Sequence, residues 1–80
     1  MLPQELLSTL TESERDVLDM VFEGFVNTII ADRLMVGLRT VELRRQNIMQ
    51  KLQTPTHAHL IRFCCKAGME KPSVQVVKAS

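Results

Sequence analysis

The chain has 80 residues, three Gly, three Pro and a net charge of +1, enough for one small domain whose core can just stand alone. With no Trp or Tyr and three Phe it offers no base-stacking platform for single strands, and no apolar run approaches the roughly 20 residues that span a bilayer. Its two cysteines, Cys64 and Cys65, are adjacent, which strains a mutual disulfide, and no second pair completes a zinc site, so neither cofactor nor metal is expected.

The total charge hides an asymmetry. Residues 1–24 set Glu5, Glu12, Glu14, Asp16, Asp19 and Glu23 against Arg15 alone. Residues 33–51 set Arg33, Arg39, Arg44, Arg45 and Lys51 against Glu42. Charge separated in this way matters more to a polyanion than the net value does.

In chain order, residues 1–9 read as a linker or lead-in. Pro3 argues against an early helix start, although Gln4 to Leu7 can make a turn. The stretch lacks the basic start and long apolar segment of a signal peptide, so an intracellular location is expected. Thr11 to Glu14 fits a capping box, hydroxyl at the N-cap and carboxylate three residues on. A helix follows to about Glu23, with Gly24 as its C-cap. Val17, Leu18, Met20 and Val21 form its inner face; Glu12, Asp16, Asp19 and Glu23 form an acidic outer stripe that would repel phosphates. Glu14 is also a candidate internal partner for Arg45 or Lys51.

Asn27 to Leu34 reads as a short second helix with Ile30, Ala31 and Leu34 inward and Ile29 off that side. Met35 to Gly37 is a turn, with Gly37 as N-cap. A third helix runs from about Leu38 to Gln53. At about 100° per residue, Val41, Ile48 and Leu52 fall on one narrow stripe. Arg39, Glu42, Leu43, Gln46 and Gln50 fall opposite, while Arg44, Arg45 and Lys51 lie along the flanks. Ala31 and Val41, ten residues apart around a tight turn, have the spacing of a helix-turn-helix.

Thr54 to Thr56 breaks the chain at Pro55. Thr56 caps a fourth helix to about Ala67, ended by Gly68. Leu60, Phe63, Cys64 and Ala67 face one way. Ala58, Ile61 and Cys65 form a further apolar strip, either a widened core face or a dimer seam. His57 and His59, two apart on a helix, point away from each other. Residues 70–80 show no helical period and read as a mobile tail.

From Leu10 to Met69 the chain resembles the LuxR-type (GerE-like) helix-turn-helix family. The matching positions are Leu10-Thr11, Glu14, Val17-Leu18, Gly24, Asn27, Ile30-Ala31, Leu34, Thr40-Val41, Asn47, Lys51-Leu52, Leu60 and Gly68-Met69, in order and without gaps. Arg39 to Glu42 (R-T-V-E) is similar to the FixJ-like response-regulator branch. The resemblance implies an all-α fold, a four-helix bundle containing a helix-turn-helix. It also implies a domain over residues 10–69, a companion N-terminal receiver or sensor domain outside this chain, and a cytoplasmic bacterial regulator. The chain departs from the family's usual residues at Thr28-Ile29, Gly37, Arg44 and Gln53. The changes at 28, 29 and 37 remove possible phosphate contacts, and Arg44 can restore one.

The expected function is sequence-specific binding of double-stranded DNA as the output domain of a transcriptional response regulator. The family's docking puts the third helix in the major groove. Glu42, Leu43 and Gln46 then meet base edges, as acceptor for cytosine N4, contact for a thymine methyl and bidentate partner of adenine. Arg39, Thr40, Arg44, Arg45, Asn47 and Lys51 hold phosphates or position the helix. The resemblance favours a homodimer through the fourth helix, with Ala58, Ile61 and Cys65 at its seam. The competing reading is a protein-interaction module on the same fold. An enzyme is not expected, since no nucleophile–base pair, glycine loop or paired carboxylates can be named; a thiol enzyme would need Cys64 or Cys65 activated beside His57.

Overall fold

The computed structural model describes residues 2–69 and contains five helices: α1 (Pro3–Leu7), α2 (Glu12–Glu23), α3 (Asn27–Leu34), α4 (Leu38–Leu52) and α5 (His57–Lys66). The four helices expected from sequence are α2 to α5, and among the described residues there is no strand. The expected tail at 70–80 lies outside the described residues.

Helix α1 stands where a lead-in was expected. Pro3 occupies its first turn, where a missing N–H costs nothing and the fixed φ already suits a helix. Glu5 accepts from the Leu2 N–H at 3.0 Å, and Ser8 and Thr9 donate their hydroxyls to the Glu5 and Leu6 carbonyls, each at 2.6 Å. So short a helix is not stable alone. Leu6 and Leu7 dock it against the core.

The capping box of α2 forms as read. Glu14 N–H donates to Thr11 Oγ1 at 3.2 Å, and Thr11 N–H donates to Glu14 Oε1 at 2.9 Å. Its C-terminus closes with Phe25 N–H on Met20 O and Gly24 N–H on Val21 O, with Gly24 at φ +101°. The same closure recurs at the ends of α3, α4 and α5, with Met35, Gln53 and Gly68 in the left-handed position. Met35 and Gln53 adopt φ +59° without being glycine, which carries a steric cost. The left-handed residue of the helix-turn-helix turn is therefore Met35. Gly37 is an extended N-cap at φ −73° that makes no side-chain cap bond.

The core draws on every helix of the bundle. Val17, Leu18, Val21 and Phe22 come from α2, Ile30 and Ala31 from α3, Leu60 and Cys64 from α5. Phe22 was not expected inside, and Met20, expected there, is half-buried. From α4 come Val41, Ile48 and Leu52, exposed by only 0, 1 and 2%. Each burial of this kind stabilises by about 1.5–3 kcal/mol. Ala31 and Val41, on either side of the turn, are both buried in this cluster, and the small Ala31 side chain takes little room between α3 and α4. The inward stripe of α4 fixes its rotation, and so decides which residues it shows to solvent.

Candidate nucleic-acid interface

With its apolar stripe inside, α4 turns Arg39, Leu43, Gln46 and Gln50 outward. Gln46 and Asn47 are exposed, and Leu43 retains 44% of its surface. Glu42 and Thr40 are half-buried at the edges of this face. Arg39 Nη1 lies 3.7 Å from Glu42 Oε1, one turn along the helix. That pair is mostly solvated and worth at most a few tenths of a kcal/mol, so both side chains can be redirected by a partner. Beside the C-terminal half of α4 an open depression of about 670 Å³ is lined by Gln46, Met49, Gln50, Gln53, Thr54 and Pro55. Its three glutamines can each donate and accept through the same amide.

The flanking cations divide. Arg44 is half-buried along one edge. Arg45 is held by two neighbouring helices: Nη1 donates to Asn27 Oδ1 on α3 at 2.9 Å, and Nη2 donates to His57 Nδ1 on α5 at 3.0 Å. Lys51 donates to Glu14 Oε1 at 2.7 Å and reaches the Thr9 carbonyl at 3.5 Å. Of the two partners considered for Glu14, the structure selects Lys51. Expected beside a phosphate, the Lys51 ammonium has an internal acceptor in the free domain. The Lys51 hydrogen bond is the largest influence holding the Glu14 carboxyl below its ordinary value, against burial, which pushes the other way; the Thr11 bonds act with Lys51. Glu14 is thus an ionised group joining the start of α2 to the end of α4.

Other polar features were not legible in the sequence. The Arg33 guanidinium stacks over the Phe25 ring at 4.5 Å, a contact that ties α3 to the α2–α3 turn. His59 Nδ1 lies 2.6 Å from Thr56 Oγ1, whose oxygen also accepts the His59 N–H as the N-cap of α5. The two imidazoles therefore serve different partners. Burial pushes the Cys64 thiol up to about 11, with a smaller contribution from neighbouring Cys65. A thiol shifted in that direction is a poor nucleophile, and the His57 imidazole engages Arg45 through Nδ1. Among the described residues no three His, Cys, Asp or Glu side chains are grouped to hold a metal.

On α5, Ala58 and Cys65 are exposed, whereas Ile61 is half-buried and packs against the chain's own core. The extra apolar strip is split: Ile61 widens the core, and its two neighbours face outward. No helix among the described residues is long and apolar enough to cross a membrane.

Residues 8–64 match the bacterial regulatory proteins of the luxR family. The chain is 42% identical over 62 residues to the transcriptional regulatory protein FixJ of Rhizobium meliloti, covering 78% of the chain and 30% of that protein. It is 42% identical over 53 residues to the tetrathionate response regulatory protein TtrR of Salmonella typhimurium, covering 66% and 26%. It is 33% identical over 57 residues to the oxygen regulatory protein NreC of Staphylococcus carnosus, covering 71% and 26%. The chain thus spans under a third of the length of these relatives. No solved structure matches it.

Proposed function

The chain belongs to the luxR family of bacterial regulatory proteins, a non-enzymatic family with a DNA-binding helix-turn-helix, and from that premise we propose that it reads double-stranded DNA with α4 in the major groove. The observation that carries the proposal is the rotation of α4, which buries Val41, Ile48 and Leu52 and leaves Leu43 and Gln46 facing solvent. Glu42, Leu43 and Gln46 meet base edges. Arg39, Thr40, Arg44 and Asn47 contact the backbone strands that wall the groove. Arg45 and Lys51 act mainly by positioning, since Asn27, His57 and Glu14 hold them.

The relatives are longer response regulators, so the chain is proposed to serve as the output domain of such a regulator in the bacterial cytoplasm. A receiver or sensor domain would lie in the rest of that protein. Two copies are proposed to meet through α5 at Ala58 and Cys65, with Ile61 at the edge of the contact. The half-sites they read would then be related by two-fold symmetry.

One observation favours a second reading. Ile29, Leu38 and Leu43 leave apolar surface exposed on α3 and α4, which a protein partner could cover instead. A salt titration of binding to duplex DNA separates the two. DNA readout gives a steep linear fall of log K with log salt. No binding at low salt would remove the DNA reading and leave the protein-interaction module. Footprinting on genomic fragments then identifies the site.

A further inference from the structure

Arg45 is held at both ends of its fork, and one of its two acceptors can take up a proton. Asn27 Oδ1 receives Nη1 at the first residue of α3, and His57 Nδ1 receives Nη2 at the first residue of α5. A guanidinium has donors only, so Nδ1 must accept and the imidazole proton must lie on Nε2. The clasp therefore exists only while His57 is neutral. It closes over a groove of about 500 Å³ whose walls include Thr28, Leu38 and Glu42. The charged groups of that groove are Arg45 and Glu42, both on α4. Glu42 already has Arg39 as a neighbour at 3.7 Å. Helices α2 and α3 contribute Val21, Asn27 and Thr28 there, none of them charged.

Resting on the DNA-binding reading above, we propose that His57 is a positioning residue that sets the availability of Arg45 through its own protonation. Neutral, it holds the guanidinium between α3 and α5, where both terminal nitrogens serve the fold. Protonated, Nδ1 becomes a donor, the Nη2 bond is lost, and two cations face each other at the flank of α4. A phosphate strand running beside α4 supplies an acceptor for the freed Nη2 and for the imidazolium, while Asn27 still holds Nη1 and Glu42 is the competing carboxylate of the groove. DNA binding is accordingly coupled to proton uptake at His57, and affinity rises on acidification. His59 has no such part: Thr56 engages its Nδ1, and it does not line this groove.

The test compares wild type, His57→Asn and His59→Asn on a random-sequence duplex of about 30 base pairs at several salt concentrations. Asparagine places an acceptor oxygen near the position of Nδ1 but does not titrate. Between about pH 8 and pH 5.5, wild type and His59→Asn should gain about threefold more affinity than His57→Asn. That is the factor given by one charge about 6 Å from a phosphate in a water-like dielectric. Their salt dependence should steepen by about 0.9 unit relative to His57→Asn. In the free chain, the guanidinium proton resonances of Arg45 should report a hydrogen bond at the higher pH that acid removes from wild type but not from His57→Asn. DNA affinity whose pH profile is the same in wild type and His57→Asn overturns the coupling. If DNA binds at no pH while the Arg45 resonances still respond, the DNA reading fails and the coupling falls with it.

Discussion

Replacing Lys51 by Met removes an ammonium while keeping an apolar stem of similar length, and the structure sets what should be lost. The ammonium lies 2.7 Å from Glu14 Oε1; the Glu14 side chain is 9% exposed and that of Lys51 38%. An exposed pair contributes up to about 1 kcal/mol, and breaking a fully buried one costs about 3–5 kcal/mol. This pair is buried on the carboxylate side and wetted on the ammonium side. After discounting for that water, the loss should be about 2 kcal/mol, or a fall in Tm of about 10 °C for a domain of this size.

The pH dependence has a definite sign. Glu14 titrates lower in the folded chain than its ordinary value. The stabilisation is therefore complete above the unfolded carboxylate value and is lost as pH falls through the lowered folded one. The gap between wild type and Lys51→Met should be full at neutral pH and close in acid. Thermal melts across pH, with DNA binding measured at several salt concentrations, read both effects. A variant with unchanged Tm, whose salt dependence flattens by about 0.9 unit, would show that Lys51 holds a phosphate rather than the fold.

Gln46→Ala should cost about 1–3 kcal/mol of discrimination between a footprinted site and its scrambled version; equal losses on both duplexes would remove Gln46 from the base-reading set. Gln53→Gly should stabilise the domain by about 1 kcal/mol in chemical denaturation, because Gln53 sits at φ +59° where glycine is unstrained. Gly37→Ser should add about 0.5 kcal/mol of stability, since a Cβ there meets nothing within 4 Å and the backbone is already extended; an unchanged melt would mean that the hydroxyl does not cap α4. A thiol-specific reagent near pH 8 should label Cys65 promptly and Cys64 only on unfolding, because Cys64 is buried with its thiol pushed up to about 11.

Local rules made α2 to α5 legible. The capping box at Thr11 and Glu14, the terminal Gly24 and the Thr56 cap all involve residues within four positions of one another, so their partners are fixed by the chain itself. The stripe of Val41, Ile48 and Leu52 was readable for the same reason: helical period alone puts them together, and water exclusion turns them inward. From that rotation the outward display of Leu43 and Gln46 followed directly. One local signal was available and pointed elsewhere: Pro3 suits the first turn of α1. Gly37 caps α4 as read, and Met35 takes the left-handed turn before it.

The amino-acid order by itself determined which faces are apolar, where the helices stop and which surface α4 presents. The partners of the charged side chains were decided only by tertiary structure. Lys51 meets Glu14 across 37 positions, and Arg45 meets Asn27 and His57 across 18 and 12. A long cation on a helix flank has several acceptors within reach of its stem. Which one it takes depends on where packed neighbouring helices place those acceptors, and that placement is a product of the whole core rather than of any local run of residues.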